Sequence, residues 1–153
     1  MNKFEDRFSC INEKTLERKH NTRDERKVKE DLPKIIFSFK DFDINQIPPG
    51  QSYKDWQEEK LLAYMTEKFG EICKCNIIEA QQQNMIKIYD GFPNNSGFRY
   101  PQTVIRDRAI NWAVIKNIKG QKPRVVGHII DNVFYVVFLD KEHKFSPSKL
   151  KHT

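Results

Sequence analysis

The sequence contains few cysteines and no long apolar segment. Its three cysteines, Cys10, Cys73 and Cys75, are odd in number and include one tight C-x-C pair, which makes a poor disulfide framework. No histidine lies near Cys73 and Cys75 in sequence, so four zinc ligands at a compatible spacing are missing. No apolar run approaches the roughly 20 residues that span a bilayer, and the opening MNKFEDRFSCINEK lacks the apolar core of a secretory signal. We therefore expect free thiols, no metal or other cofactor, no membrane segment and a cytoplasmic location.

Several catalytic motifs are also missing. The sequence has no phosphate-binding glycine loop, no G-x-S-x-G elbow and no H-E-x-x-H pair, and Cys73 lacks a recognisable nucleophile signature. These absences argue against a P-loop nucleotide-binding enzyme, an α/β-hydrolase and a zinc protease.

Charged and aromatic residues, in contrast, are abundant. Of the 153 residues, 31% are charged and 38% hydrophobic, with 11 Phe, which is typical of a folded chain outside the membrane. Residues 99–153 carry a net charge of +7, whereas residues 1–33 and 34–98 carry +1 and −2. A basic block on folded strands indicates a surface for phosphate backbones or for an acidic protein. A solvated lysine surface that keeps a protein soluble has the same composition.

The composition predicts a boundary at about residue 33. Residues 11–32 mix charges of both signs with almost no large apolar side chains, so residues 1–33 are predicted to be a charged, flexible or helical N-terminal extension. Residues 34–153 are predicted to form a single domain, since roughly 115 to 120 residues are enough for one modest core.

Residues 34–153 are predicted to be α+β, in the order strand, helix, helix and then three strands. The β-branched and aromatic run KIIFSFKDF is the predicted first strand. Ser52, with Asp55 three residues later, resembles a capping box, and the apolar residues that follow recur at helical spacing up to a stop at Gly70. This pattern predicts one helix between Ser52 and Gly70.

A second helix and a long loop are predicted next. Asn76, with Glu79 three residues later, offers a helix cap, and apolar residues follow at roughly helical spacing as far as Ile88. Residues 90–101, DGFPNNSGFRYP, are dense in Gly, Pro, Asn and Ser, which predicts a long exposed loop.

The C-terminal third is predicted to be a three-stranded antiparallel meander from Ile110 to Phe145. Its strands are the runs AINWAVIKNI, RVVGHII and VFYVVFL, separated by residues 119–123 and by a two-residue turn at Asp131-Asn132. Alternation from that turn predicts the pairs Ile130 with Val133, His128 with Tyr135, Val126 with Val137, and Arg124 with Leu139. The other face is apolar and is expected to pack on the helices through Val125, Gly127, Ile129, Phe134, Val136 and Phe138.

The outer face of this meander is predicted to bind RNA. It presents cationic and aromatic side chains together, namely Trp112, Lys116, Arg124, His128 and Tyr135. Lysine and arginine neutralise phosphates while aromatic rings stack on unpaired bases. Further RNA contacts are expected from basic residues of the same third of the chain, Arg106, Arg108, Lys119, Lys122 and Lys144. An ordinary solvent-exposed face carries the same residue types.

Two histidines are candidates for acid–base catalysis. His143 follows the last strand in LDKEHKFSP, close in sequence to Asp140 and Lys144, and His128 lies in a central strand with Tyr135 as its predicted neighbour. Histidine exchanges protons near neutral pH, and a neighbouring carboxylate can fix its tautomer. The alternative is that both are ordinary strand and turn residues.

The segment WAVIKNIKGQKPRVVGHIIDNVFYVVFLDKEH resembles the RelE/ParE superfamily of bacterial toxins, and the resemblance extends over roughly residues 34–145. It implies a RelE-like topology with one sheet. It also implies a metal-independent endoribonuclease that cuts mRNA, free or on the ribosome, by activating the ribose 2′-OH and stabilising the transition-state charge. The positions that match the family's working residues are Lys116, Arg124, His128, Tyr135 and His143. An acidic antitoxin protein is the corresponding partner.

Two other functions fit the same residues. In one, the basic block and Trp112 hold a nucleic-acid strand that is not cut. In the other, the outer face binds a protein, because it also carries the apolar residues Ile118, Val126, Ile130, Val137 and Leu139. Within the toxin interpretation, the target stays open between RNA and DNA gyrase.

Overall fold

The computed structural model of the protein describes residues 31–106 and 110–148. Contacts between Cα atoms divide the chain into two units, Met1–Pro33 and Lys34–Thr153. The prediction of a flexible or helical extension over residues 1–33 lies almost wholly outside the described residues, as does the predicted RNA contact of Arg108.

One mixed sheet organises the second unit. Its strands are β1 (Ile36–Ser38), β2 (Ile86–Tyr89), β3 (Asn111–Ile115), β4 (Arg124–Ile130) and β5 (Val133–Asp140), in the spatial order β1-β5-β4-β3-β2. β1 is parallel to β5 and the other neighbours are antiparallel. The α+β class is confirmed, but the three predicted C-terminal strands belong to a five-stranded mixed sheet and do not form a separate meander.

Three α-helices connect β1 to β2. They are α1 (Tyr53–Glu58), α2 (Leu62–Ile72) and α3 (Ile77–Gln82), and a short 3₁₀ helix, Ile44–Gln46, precedes them. Across the described ranges, no helix has both the length and the apolar character needed to cross a membrane.

The predicted first helix is in fact two helices. Its capping box is present, because the Ser52 hydroxyl accepts from the Asp55 N–H and the Asp55 carboxylate accepts from the Ser52 N–H. α1 then ends because Lys60 adopts a left-handed φ of 59°. α2 continues to Ile72, so Gly70 lies inside a helix and is not its stop. The apolar spacing stays helical across the break, so the pattern cannot reveal it.

The predicted second helix is too long. Its cap is present, because Asn76 Oδ1 accepts from the Glu79 N–H at 2.9 Å, but α3 stops at Gln82 and Asn84 turns the chain with a left-handed φ of 58°. The residues IKIY that follow form β2 and pair with β3. The apolar residues of β2 also fit a helical spacing, which is why the sequence predicts one long helix.

The β4–β5 hairpin turns where the sequence predicts. Asp131 has a left-handed φ of 54° in the turn, and the predicted pairs nearest to it are confirmed, Ile130 with Val133 and His128 with Tyr135. A β-bulge beside Val126 and Gly127 then shifts the register by one residue of β5. The two predicted pairs beyond it are wrong, since the observed partners are Val126 with Phe138, Val125 with Leu139 and Arg124 with Asp140.

The bulge changes which side chains face the helices. Phe138, predicted on the helix side, lies on the opposite face, and Leu139 takes its place on the helix side. At Gly127 the two strands lie so close together that a Cβ would collide with the Tyr135 carbonyl oxygen and the Phe134 ring. This position of the hairpin therefore requires a glycine.

Both faces of the sheet carry a buried apolar core. The helices cover one face with a core that includes Trp56 and Phe69. The opposite face, predicted to be open, is covered by the β2–β3 connection and by the segment after β5, through Phe98, Val104 and Phe145. The predicted long exposed loop is therefore a cover whose apolar side chains pack on the sheet.

Burial on the two faces of the sheet removes the argument for an apolar protein-binding face. Of the five apolar residues expected on that face, Ile130 is 45% exposed. The other four, Ile118, Val126, Val137 and Leu139, are buried.

Candidate functional site

Trp112 and His128 lie under this cover, at one end of the sheet face. Each is only 2% exposed. The Trp112 ring contacts the rings of Phe92, Tyr100 and Phe145, with centroid distances of 5.1, 5.6 and 5.9 Å. The prediction that Trp112 and His128 stand on an open face is therefore wrong, because the covering segments pack on Trp112 and Asp41, Tyr135 and Trp112 contact His128.

His128 is held by a buried cluster of contacts. Its Nε2–H donates to Asp41 Oδ2 at 3.0 Å, and its ring stacks on Tyr135 with centroids 4.7 Å apart. Lys40 Nζ donates to the other Asp41 oxygen at 2.8 Å, and the Thr103 hydroxyl donates to the Asp41 carbonyl oxygen at 2.7 Å. The cluster ties the segment after β1 and the covering loop to the β4–β5 hairpin.

The ionisation of His128 fits a structural role. Burial lowers its pKa, and the hydrogen bond that it donates to Asp41 offsets only part of that effect. A neutral ring that donates from Nε2 carries only a lone pair at Nδ1, and that buried atom has no hydrogen-bond partner among the described residues. An unpartnered lone pair costs less than an unpartnered charged N–H group, so the neutral tautomer is the stable one here.

The other end of the same sheet face is open and cationic. A pocket of about 340 Å³ lies there, which we call the cationic pocket, and its lining includes Lys87, Tyr89, Lys116, Arg124, His143 and Ser146. None of its described lining residues is acidic. Arg124 and His128 are four residues apart on β4, about 13 Å along a strand. The two ends of the face therefore cannot act on the same atom.

The cations of the cationic pocket form no ion pair with a carboxylate of the described residues, although the charge of Arg124 opposes the effect of burial on the pKa of Asp140. Lys116 Nζ donates to the Asn84 side-chain oxygen at 2.8 Å, and Lys87 Nζ lies 4.9 Å from the centroid of the Tyr89 ring. Arg124 Nε is buried without a hydrogen-bond partner in the described part of the chain. No ion pair formed within residues 31–106 and 110–148 involves Lys87, Lys116 or Arg124.

Burial, and then mutual repulsion, lower the pKa values of two groups in this pocket. Burial lowers the pKa of Lys116, and the charges of Arg124 and Lys87 lower it further. Burial also lowers the pKa of His143, with Arg124 and Lys87 acting in the same direction and Asp140 in the opposite one. At pH 7 the pocket therefore places a neutral imidazole beside several cations, and an entering anion would relieve their repulsion.

Asp140 positions the segment that carries His143. The buried Asp140 carboxylate accepts from the backbone N–H groups of Lys144 and Phe145, at 2.9 and 2.8 Å. His143 itself has a left-handed φ of 58°. Burial raises the pKa of Asp140. The sequence cluster around His143 is thus a folded turn, in which Asp140 holds the backbone and His143 is directed to the pocket.

Comparison of the chain with family models, with curated proteins and with solved structures finds no match. The resemblance to the RelE/ParE toxins therefore stays a prediction, and the site is judged by its own geometry. Over the described residues, His, Cys, Asp and Glu form no group of three or more that could hold a metal ion.

The structure separates the predicted catalytic residues into two places. Lys116, Arg124 and His143 converge on the cationic pocket. His128 and Tyr135 lie together in the buried cluster at the other end of the face.

The four additional basic residues predicted to contact RNA that the structure describes do not line the cationic pocket. Three of them have other contacts, Lys119 over the Tyr64 ring at 5.0 Å, Lys122 with Glu142 at 3.7 Å, and Arg106 over the Tyr100 ring at 4.6 Å. Lys144 is exposed and its backbone N–H is bound to Asp140.

Sequence patterns miss three residues that define these two places. Lys87 and Tyr89 lie on β2, and the alternation of IKIY is the signal that puts both on one face. Asp41 is separated from His128 by 87 positions in sequence, so no local pattern indicates the pair.

Proposed function

We propose that this protein is a metal-independent endoribonuclease that binds an RNA phosphodiester in the cationic pocket. The observation that carries the proposal is the convergence of three cations, Lys87, Lys116 and Arg124, on a pocket that also contains His143. None of the three forms an ion pair with another described residue. Preorganised cations stabilise the charge of a phosphoryl transition state, and an imidazole beside it can transfer a proton. The resemblance to the RelE/ParE toxins supplies mRNA as the expected substrate.

The proposed reaction uses the ribose 2′-OH as the nucleophile. Neutral His143 takes the proton of the 2′-OH, the 2′-oxygen bonds to phosphorus, and the bond from phosphorus to the 5′-oxygen breaks. Lys116 gives a proton to the departing 5′-oxygen, while Arg124 and Lys87 stabilise the charge on the non-bridging oxygens. The products are a 2′,3′-cyclic phosphate and a 5′-hydroxyl end, and solvent returns the proton from His143 to Lys116.

The direction of the two lowered pKa values supports these roles. A histidine whose pKa lies below 6.5 is mainly neutral at pH 7 and can accept a proton. A lysine whose pKa lies below 10.5 is a stronger acid than an ordinary lysine and a better donor to a leaving oxygen.

The reaction is tested with purified protein and a 5′-labelled single-stranded RNA in EDTA, both free and as an mRNA on programmed ribosomes. We expect cleavage that leaves a 2′,3′-cyclic phosphate, and protection of any position that carries a single 2′-deoxyribose. An intact RNA in both settings, or equal cutting at the deoxyribose position, would refute the proposal.

A charge-matched pair of variants locates the reaction. Replacing two pocket cations, Lys116→Gln with Arg124→Gln, should lower cleavage by about 100-fold or more. The control replaces two exposed lysines outside the pocket, Lys54→Gln with Lys74→Gln, and should leave cleavage nearly unchanged. Equal losses in the two double variants would mean that general positive charge, and not this pocket, carries the activity.

A non-catalytic RNA-binding module is the second candidate function, and the same cations favour it. It predicts binding that weakens steeply with salt and no cleavage in either setting. An acidic antitoxin-like protein is the proposed partner, because its carboxylates would pair with Lys87, Lys116 and Arg124 and compete with RNA.

A further inference from the structure

We infer that a second cavity, next to the cationic pocket, binds an unpaired guanine of the same RNA strand, an inference that rests on the proposed function. This aromatic cavity has a volume of about 700 Å³, and its lining includes Asp90, Phe92, Tyr100, Arg106, Ile110 and Trp112. A volume of this size is in the range of about 300–1,000 Å³ that small-molecule sites occupy.

Aromatic rings form one wall of the cavity. Phe92 contacts Trp112 and Tyr100 with ring centroids 5.1 and 5.4 Å apart, so the three rings hold each other in place. Trp112 is almost fully buried and forms the base of this wall, whereas Phe92 and Tyr100 are only partly buried and offer ring surface to the cavity. Ring surface of this kind stacks on unpaired nucleobases.

The aromatic cavity and the cationic pocket meet at one backbone segment, and a second segment packs close to both. Tyr89 lines the cationic pocket, and the next residue, Asp90, lines the aromatic cavity. Ser146 lines the cationic pocket, and the residue before it, Phe145, packs on Phe92 with centroids 5.2 Å apart. Adjacent residues lie about 3.8 Å apart, so the two sites adjoin at Tyr89 and Asp90. We therefore place the phosphate of a nucleotide among the cations and its base in the aromatic cavity.

The charged residues of the cavity select among the bases. Asp90 is exposed, and within the described ranges it makes no ion pair. The Arg106 guanidinium lies 4.6 Å from the centroid of the Tyr100 ring. Guanine presents two adjacent donors, N1–H and the N2 amino group, that suit a carboxylate, and its O6 and N7 acceptors suit an arginine. Adenine, cytosine and uracil lack that pair of donors.

The inference is tested with non-cleavable probes. Fluorescent 2′-O-methyl trinucleotides UGU, UAU, UCU and UUU, together with a U-abasic-U trinucleotide that has the same phosphates, are titrated into the full chain and followed by anisotropy. We expect UGU to bind about 10-fold or more tightly than the abasic probe and more tightly than the other three. If the abasic probe binds as tightly as UGU, the base site does not exist.

A conservative variant tests the role of the carboxylate. Asp90→Asn keeps the size of an exposed side chain, and it should remove the preference for UGU while leaving the affinity for the abasic probe unchanged. A guanine preference that survives this substitution would overturn the assignment to Asp90. Because these probes cannot be cut, a guanine preference without RNA cleavage would refute the proposed reaction alone, and cleavage without any base preference would refute this inference alone.

Discussion

His128 and His143 lie at opposite ends of one sheet face, and their surroundings differ. His128 is 2% exposed, donates a hydrogen bond to Asp41 and stacks on Tyr135. His143 is partly exposed and lines an open pocket of cations. Both histidines fit the same sequence description, a titratable residue among basic and aromatic neighbours. The side chains packed against each histidine, and not its neighbours in sequence, therefore decide which histidine can meet a ligand.

The cover reaches only part of the face. Phe98 and Val104 of the β2–β3 connection, with Phe145 after β5, pack over its centre. Lys116 follows the end of β3 and Arg124 begins β4, so both lie at the margin of this cover. The charged end of the face therefore stays open while the His128 end becomes part of the interior.

The largest effect is expected from His143→Ala on catalysis. Loss of a general base lowers the rate by about 10²–10⁴-fold, so we expect kcat for RNA cleavage to fall by that factor. The melting temperature should change little, because the side chain is partly exposed. A variant that still cleaves at the wild-type rate would remove His143 from the mechanism.

His128→Ala should lower the stability of the protein and leave catalysis intact. It removes a buried ring and the partner of Asp41, which should lower the free energy of unfolding by about 2–4 kcal/mol. Urea denaturation measures this change, and RNA cleavage per folded molecule should be retained. A His128→Ala variant that is as stable as the wild type yet inactive would contradict the structural role of His128.

A smaller effect on the free energy of unfolding is expected from a change in pH. Because burial lowers the pKa of His128 in the folded state, the unfolded chain takes up the proton first as the pH falls below about 6.5. The free energy of unfolding should therefore decrease on acidification through this range, by about 1.4 kcal/mol for each unit by which the pKa is lowered.

A matched variant isolates that contribution. His128→Gln should flatten the pH dependence of the free energy of unfolding, whereas His143→Gln should retain most of it. The control is needed because burial also lowers the pKa of His143, which acts in the same direction on acidification, whereas the raised pKa of Asp140 acts in the opposite direction. An unchanged slope in His128→Gln would show that this histidine is not the source.

Local chemistry makes part of the fold predictable. The cap at Ser52 and the turn at Asp131 follow from side-chain hydrogen bonding and from tolerance of positive φ, both properties of a few neighbouring residues. The left-handed Lys60 and the bulge beside Gly127 depend on tertiary packing, so the sequence pattern runs through both without a break. The sequence pattern does not reveal β2, because its four residues fit a helical period and a strand period equally well.

The candidate site is predictable to a similar extent. Lys116, Arg124 and His143 are found from sequence because strand ends and the turn after β5 carry polar residues that stay near the surface. The burial of Trp112 and His128 cannot be predicted from the sequence. Trp112 is covered by a connection whose composition is typical of an exposed loop, and His128 contacts Asp41, which is distant in sequence. Composition does not reveal that a few apolar residues of such a loop can close over a sheet.

The most direct test of the account is an NMR titration of the histidine Cε1–H signals, with and without the 2′-O-methyl UGU trinucleotide. The chain has four histidines, and His→Gln variants assign His128 and His143. We expect the pKa of His143 to rise when the RNA phosphates offset the repulsion of the neighbouring cations, while that of His128 stays the same. A response of His128 with none of His143 would contradict the account.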